Sequence, residues 1–140
     1  MSAVELTLER QTGLEFEVRA ASGHVTSLDG PPAIGGADAA MRPMELMLAG
    51  IAGCASVDVV HILNKGRQPF SHLSVKATGH RADAIPAVFT AIELHFVATG
   101  TLKLDRLERA AMLSVTQYCS ASASLHPDIK VTWTCEVLAP

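Results

Sequence analysis

Three cysteines, Cys54, Cys119 and Cys135, are the residues of this sequence that point most directly to chemistry. Three cysteines cannot all pair within one chain, and a reducing compartment keeps structural disulfides open. Thiol chemistry is therefore more plausible than a disulfide scaffold. Cys135 shares the apolar side of a predicted strand with Val131 and Trp133, a pattern that predicts a packing role.

The other two cysteines lie in predicted helices. Cys54 is surrounded by apolar residues, and taken alone it resembles a small core residue. Cys119 has more polar neighbours, so it is expected to be the easiest thiol to expose. A peroxidatic cysteine must be a thiolate, and an unperturbed thiol with a pKa of about 8.5 is only a few per cent ionised at neutral pH. A nearby cation or dipole is therefore required.

Asp58 and His61 follow Cys54 by four and seven residues, which places the three on one helical face. Transition metals accept such ligands, so this face is a rival metal-site hypothesis. At 1.5 Å rise per residue the three groups spread over about 10 Å, too far for one ion, and His61 lies too far from Cys54 for a Cys–His nucleophile. Asp58 is expected to cap or pair elsewhere, and no metal site is assigned.

Several function classes have no support in the sequence. The eleven Lys and Arg residues are scattered and the net charge is -3, so nucleic acid is not an expected partner. No Gly-rich phosphate loop is present, and no cofactor is expected. The remaining histidines show no ligand spacing and are expected at the surface: His24, His72, His80, His95 and His126.

The first forty residues predict three β-strands and a loop. Apolar and polar residues alternate on both sides of Gly13, which predicts a β-hairpin with one solvent-exposed face. A third strand is expected over residues 24–28. The Gly- and Pro-rich run at residues 30–36 predicts the loop.

Pro43 opens the longest predicted helix, which continues to about Leu63. The helix is apolar nearly all round, as is typical of a helix buried on several sides, and a dimer would cover it. Gly50 and Gly53 each weaken it by about 1 kcal/mol relative to Ala, which predicts a kink or the close approach of another backbone.

Alternation then predicts strands around residues 73–78 and 87–99 and a closing strand over residues 131–137. Between the last two, Asp105 and Glu108 resemble a capping box that starts a second helix ending near Ser122. The element order is βββαββαβ, an α+β fold.

Length and composition predict the number of domains and the cellular location. A chain of 140 residues that is 49% apolar suits one domain, residues 1–140. The N-terminus lacks the basic start and apolar run of a secretory signal, and no apolar stretch is judged long enough to cross a bilayer. The protein is therefore expected in the cytoplasm, with no membrane partner.

Residues 43–54, PMELMLAGIAGC, continued by DVV at residues 58–60, resemble the helix signature of the OsmC/Ohr family. This family comprises osmotically inducible protein C, the organic hydroperoxide resistance proteins and their relatives. The run YCS at residues 118–120 resembles a second family motif. The resemblance extends from the first strand to the last.

The resemblance implies an OsmC-like fold and an intertwined homodimer, with the long helices packed centrally and active sites built from both chains. It implies that Cys54 is the peroxidatic thiol, which attacks an organic hydroperoxide, and that Cys119 resolves the sulfenic acid as a disulfide. An external dithiol reductant then restores the pair. The implied role is oxidative stress defence.

The sequence departs from the family's catalytic pattern at Met44, because the family's activating Glu directly follows the proline. Glu45 comes one residue later, about 100° around the helix, and is not assigned that role. The family also uses an arginine to stabilise the thiolate, and Arg10, Arg19 and Arg42 are the candidates. These departures resemble a less characterised OsmC-like branch.

Two hypotheses follow. The first is a thiol-dependent peroxidase that reduces organic hydroperoxides through Cys54 and Cys119. The alternative is a non-catalytic OsmC-like protein that binds an apolar ligand or a thiol carrier in the dimer cleft, as Met44 suggests. Neighbouring sulfurs and a cation near Cys54 would favour the peroxidase.

Overall fold

The computed structural model describes residues 2–140. They form two compact units, one that comprises the residues up to Met47 and one that comprises Leu48–Pro140. Each unit contains a three-stranded β-sheet. The expectation of a single domain over residues 1–140 stays a prediction.

The N-terminal unit is built on an antiparallel sheet in the order β1 (Leu6–Thr12), β2 (Glu15–Ala20) and β3 (Val25–Leu28). The predicted hairpin is confirmed, and Gly13 makes its turn with a φ of +52°, a conformation that glycine adopts without steric cost. The predicted loop contains a short 3-10 turn, Pro32–Ile34.

A buried carboxylate organises the loop after β3. Asp29 is 1% exposed, and it accepts hydrogen bonds from the backbone N–H groups of Gly30, Ala37 and Ala39. Burial acts to raise the pKa of Asp29, but these hydrogen bonds and the charge of Arg42 hold it below its ordinary value. The ionised carboxylate therefore fixes the loop.

The C-terminal unit has a sheet in the order β4 (Phe70–Arg81), β5 (Phe89–Gly100) and β6 (Lys130–Leu138). The first pair is antiparallel and the second is parallel, because the chain crosses over through helices before β6. Strand β5 is central and carries much of the core: Phe89, Ile92, Leu94, Phe96 and Ala98 are buried.

Helix α1 (Pro43–Lys65) begins in the N-terminal unit and continues into the C-terminal one. Its buried residues recur every fourth position, Ile51, Ala55, Val59 and Leu63, and so form one stripe. Helix α1 was expected to be buried on several sides, but residues 2–140 bury only this stripe. The helix also continues through Gly50 and Gly53 without a break, and a Cβ on either would meet no atom within 4 Å.

Helix α1 is long and apolar enough, by length and composition, to cross a membrane. The expectation that no apolar stretch reaches this length was therefore wrong. Length and composition alone are weak evidence for a membrane span, because core helices of soluble proteins pass the same criteria.

The second helix differs from its prediction at both ends. Helix α2 (Leu104–Leu113) has Lys103 at its N-cap, without a side-chain hydrogen bond, so the expected Asp105 capping box is wrong. The expected continuous helix to Ser122 is interrupted as well. A π-helical segment, Ser114–Tyr118, follows α2, and helix α3 (Ser120–Ala123) comes after a break. The predicted order βββαββαβ is otherwise confirmed.

Candidate functional site

The C-terminal unit brings together two of the three cysteines. The sulfurs of Cys54 and Cys119 and a carboxylate oxygen of Asp58 all lie within 4.8 Å of one another. Cys54 and Asp58 are one turn apart on α1, so their proximity follows from helical geometry. Cys119 is sixty-five positions further along the chain, and only the fold places it there.

The π-helical segment sets the position of Cys119. Its wider turn is closed by the Cys119 N–H, which donates to the Ser114 carbonyl oxygen at 2.7 Å. The Ser114 side chain is fully buried, and its hydroxyl donates to the Ala55 carbonyl oxygen at 2.9 Å. This hydrogen bond connects the end of α2 to the residue that follows Cys54 in α1.

Cys119 is buried rather than accessible. Cys119 is 2% exposed, whereas Cys54 is half-buried. The expectation that Cys119 is the easiest thiol to expose was therefore wrong. The break before α3 turns Cys119 inward, with φ -71° and ψ 104°. Its sulfur accepts hydrogen bonds from the Ser122 N–H at 3.4 Å and the Ser122 hydroxyl at 3.2 Å.

Asp58 makes none of the expected capping or pairing contacts through Oδ2. This oxygen is buried and has no hydrogen-bond partner among residues 2–140. A buried carboxylate oxygen without a partner is costly. The observation therefore marks Asp58 as a residue whose role is not explained by packing.

A groove of about 620 Å³ opens beside Asp58. Sequence reasoning placed His61 on the face of Cys54, and His61 does line this groove, but it is not one of the three clustered groups. Two cations, Lys65 and Arg109, line the groove as well, with an apolar remainder: Ile62, Gly66, Leu113 and Tyr118.

Arg109 was missed by the sequence interpretation. It is four residues before Leu113 on α2, and both residues line the groove, so a helical projection of α2 carried the signal. The buried face of the same helix consists of Leu107, Ala110 and Ala111.

The three arginines proposed from the sequence have partners within the N-terminal unit. Arg10 donates to the Gly13 carbonyl oxygen at 2.8 Å. Arg19 pairs with Glu17 at 3.1 Å.

The third arginine lies at the start of α1. Arg42 pairs with Asp38 and Glu45 at 3.8 Å each. Glu45 also accepts a hydrogen bond from the Arg42 N–H at 2.9 Å, which is the role of a capping residue at a helix N-terminus. This local role agrees with leaving Glu45 out of the catalytic set.

Cys135 lies outside the cluster of three groups. It is half-buried on β6. Burial, followed by the nearby charge of Glu108 on α2, raises the pKa of the Cys135 thiol to about 11. At neutral pH roughly one Cys135 in ten thousand is a thiolate, so this residue is a poor nucleophile.

Some of the other histidines form polar pairs on the sheet surface. His80 contacts Glu93 at 2.8 Å, and His95 contacts Thr134 at 2.6 Å and Glu136 at 3.5 Å. Within residues 2–140 none of them joins a group of three metal-ligating side chains.

Comparison with known proteins gives a consistent result. A family model described as OsmC-like protein matches residues 35–134. Protein YhfA of Escherichia coli K12 is 41% identical over 128 residues, which cover 91% of this chain and 92% of the relative. The match to the family includes all of α1 together with Cys54, Asp58 and Cys119.

Two solved structures share the fold. A hypothetical protein from Aquifex aeolicus is 31% identical, with a TM-score of 0.82 over 98% of each chain. An organic hydroperoxide resistance protein OsmC from Legionella pneumophila is 20% identical, with a TM-score of 0.71 over 99% of this chain and 98% of that one. At that identity the second likeness concerns the fold alone.

Proposed function

Because the chain belongs to the OsmC-like protein family, we propose that it is a thiol-dependent peroxidase that reduces organic hydroperoxides through Cys54 and Cys119. The resemblance to the OsmC/Ohr family inferred from the sequence is confirmed. Family membership supports a peroxide-related role. It also indicates a protein that is not embedded in a membrane, and we propose the cytoplasm, where reductants maintain free thiols.

The single observation that carries the proposal is the distance between the two sulfurs, at most 4.8 Å. A disulfide needs about 2.05 Å between sulfurs. Rotation of the two side chains with small backbone shifts can close this gap. Neighbouring sulfurs favour the peroxidase, and a cation near Cys54 is the second condition that it requires.

The reaction proceeds in two balanced steps. The half-buried Cys54 thiolate attacks the distal oxygen of the hydroperoxide, the O–O bond breaks, and the alkoxide leaves and takes up a proton to give the alcohol. Cys54 is then a sulfenic acid. The Cys119 thiolate displaces its hydroxyl as water to form the disulfide, and an external dithiol returns the two electrons and two protons.

Asp58 supplies the acidic group in this proposal. Met44 occupies the position of the family's Glu, whereas a carboxylate oxygen of Asp58 lies within 4.8 Å of both sulfurs. Asp58 can accept the Cys54 thiol proton and return it to the departing alkoxide. Two cations, Lys65 and Arg109, line the adjoining groove together with Asp58, and Cys54 is not among its lining residues.

The proposed assembly is a homodimer. Val57 on α1 is 70% exposed, and an apolar groove of about 420 Å³ runs beside it, lined by Ser56, Val57, Val60, Leu73 and Val75. Exposed apolar grooves of this kind mark interaction sites. A second copy of the chain would cover this surface and the open side of α1 at Gly50 and Gly53.

Peroxide consumption tests the proposed activity. With an organic hydroperoxide and excess dithiol, the unmodified protein is expected to turn over. Cys54→Ser removes the nucleophile and is expected to abolish turnover, while Cys119→Ser removes resolution and is expected to stop after one oxidation of Cys54. Cys135→Ser is the matched control and is expected to retain the full rate. Full turnover by Cys54→Ser would contradict the proposal.

A non-catalytic role remains the second candidate, because Met44 replaces the family's acid and the 620 Å³ groove has the size of a small-molecule site. This function predicts that Cys54→Ser leaves the binding of an apolar ligand or thiol carrier unchanged. It also predicts that neither cysteine is oxidised by a stoichiometric amount of hydroperoxide.

A further inference from the structure

We propose that the reduced protein binds a thiophilic divalent cation, such as Zn²⁺, through Cys54, Asp58 and Cys119. This inference goes beyond the peroxidase and does not depend on it, because metal binding requires only the reduced thiols and the carboxylate. It differs from the metal site considered from the sequence, which used His61 as the third ligand and failed on helical spacing.

The distances support a single ion. All three ligand atoms lie within 4.8 Å of one another. With Zn–S bonds of about 2.3 Å and Zn–O bonds of about 2.1 Å, two sulfurs on one tetrahedral ion lie roughly 3.8 Å apart. The three groups therefore need to approach one another by at most about 1 Å, which side-chain rotation can supply. Cys119 therefore serves as the third ligand in place of His61, which lies too far along α1 to reach the same ion.

The chemistry of the ligands selects the class of cation. Two thiolates favour Zn²⁺ and similar ions over Mg²⁺ and Ca²⁺, which prefer oxygen ligands. Two thiolates and a carboxylate carry three negative charges, one more than a divalent cation neutralises. Lys65 and Arg109 line the same groove as Asp58 and are the cations nearest to this excess among the residues that line it. With three protein ligands, the fourth position stays open to water or an added thiol.

The buried oxygen of Asp58 is an independent observation in favour of a ligand. Oδ2 has no hydrogen-bond partner among the described residues 2–140, and such an atom is normally satisfied by protein, water or an ion. The surroundings also orient a metal ligand, because Ser122 donates to the Cys119 sulfur and Ser114 anchors its segment to α1.

Metal binding and thiol oxidation exclude each other at this site. Binding of the cation to two thiols releases two protons. An organic hydroperoxide that oxidises both thiolates takes two electrons from them and two protons from solvent, and gives a disulfide, an alcohol and water. The disulfide is a poor ligand, so the cation is released. The cation is therefore expected to compete with any peroxidase activity.

A competition titration under anaerobic conditions tests the site. The protein is reduced, freed of metal with a chelator and titrated with Zn²⁺ against a chromophoric chelator. We expect one tight Zn²⁺ per chain for the unmodified protein and for Cys135→Ser. Cys54→Ser and Cys119→Ser are each expected to weaken binding by more than roughly 100-fold, and Asp58→Asn by about 10-fold.

Co²⁺ provides a second measurement that reports the ligands directly. Sulfur-to-cobalt charge-transfer absorption is expected for the unmodified protein and Cys135→Ser, and it is expected to decrease in Cys54→Ser and Cys119→Ser. Thermal melts identify variants that fail to fold. Three results would each overturn the proposal. The first is weak Zn²⁺ binding by the unmodified protein, and the second is an equal loss of Zn²⁺ affinity in Cys135→Ser and Cys54→Ser. The third is an equal Zn²⁺ affinity of the oxidised and reduced forms. Failure of the peroxidase leaves the Zn²⁺ and Co²⁺ measurements on the reduced protein intact.

Discussion

A carboxylate oxygen of Asp58 lies within 4.8 Å of two sulfurs, one of which comes from a distant segment of the chain. Helical spacing placed Asp58 on the same face as Cys54, one turn away, but Asp58 was expected to cap or pair elsewhere. Only the family resemblance implied that Cys119 lies beside Cys54, because no local pattern reports which segment packs against α1. Arg109 was missed although a helical projection of α2 carried the signal.

Asp58→Asn tests the acidic role at the residue scale. The substitution keeps the shape of the side chain and removes its ability to accept the thiol proton, so kcat/KM for an organic hydroperoxide is expected to fall by roughly 100-fold. The melting temperature is expected to stay the same or rise, because an unpartnered buried charge is removed. An unchanged kcat/KM would exclude Asp58 from the reaction.

The raised pKa of the Cys135 thiol predicts that the stability of the protein depends on pH. The pKa of this thiol is raised from 9.0 to about 11 in the folded protein, so above pH 9 the unfolded chain loses this proton before the folded chain does. Stability is therefore expected to fall between pH 9 and about 11. In urea unfolding, Cys135→Ser should lose less stability over this window than the unmodified protein. Equal losses in the two proteins would contradict the assignment.

At the scale of elements, alternation and helical periodicity predicted most of the fold. The hairpin of β1 and β2, helix α1 and the closing strand β6 are within a few residues of their predicted bounds. The region after α2 was predicted as continuous helix, because the residues around Tyr118 have ordinary helical patterning. The π-helical segment begins at Ser114, whose buried hydroxyl donates to the Ala55 carbonyl oxygen, a tertiary contact that local patterning does not report.

Ser114→Ala tests the role of this segment. Loss of the hydroxyl removes the hydrogen bond to the Ala55 carbonyl oxygen, which is expected to lower the free energy of unfolding by about 1 kcal/mol. It is also expected to slow formation of the Cys54–Cys119 disulfide, because Cys119 loses its anchor to α1. Urea unfolding and the rate of disulfide formation are the two measurements.

Ser124→Ala is the matched control for this experiment. The Ser124 hydroxyl donates to the Ser120 carbonyl oxygen at an exposed position, so its loss is expected to change stability by no more than about 0.5 kcal/mol. If both variants form the disulfide at the same rate, the segment does not position Cys119.

At the scale of the whole molecule, the sequence and its family resemblance predicted the α+β class and the element order. The homodimer stays a prediction, since composition shows only that α1 needs a partner. The structure adds where the uncovered apolar surface lies, at Val57 and the groove beside it.

Val57→Lys tests this assembly. An exposed substitution changes the stability of an isolated chain by only about 0.5 kcal/mol, but a buried unpaired lysine at a dimer interface is costly. The unmodified protein is expected to have twice the chain mass by light scattering, and Val57→Lys is expected to shift toward the monomer. Ile85→Lys, at a fully exposed position, is the control. A dimer that Val57→Lys leaves intact would place the interface elsewhere.

The central claim is that Cys54 and Cys119 act as one redox pair, and disulfide mapping tests it most directly. The reduced protein is treated with one equivalent of an organic hydroperoxide, free thiols are alkylated, and peptides are identified by mass spectrometry. We predict a Cys54–Cys119 disulfide with Cys135 alkylated. Retention of all three free thiols, or a disulfide that involves Cys135, would contradict the account.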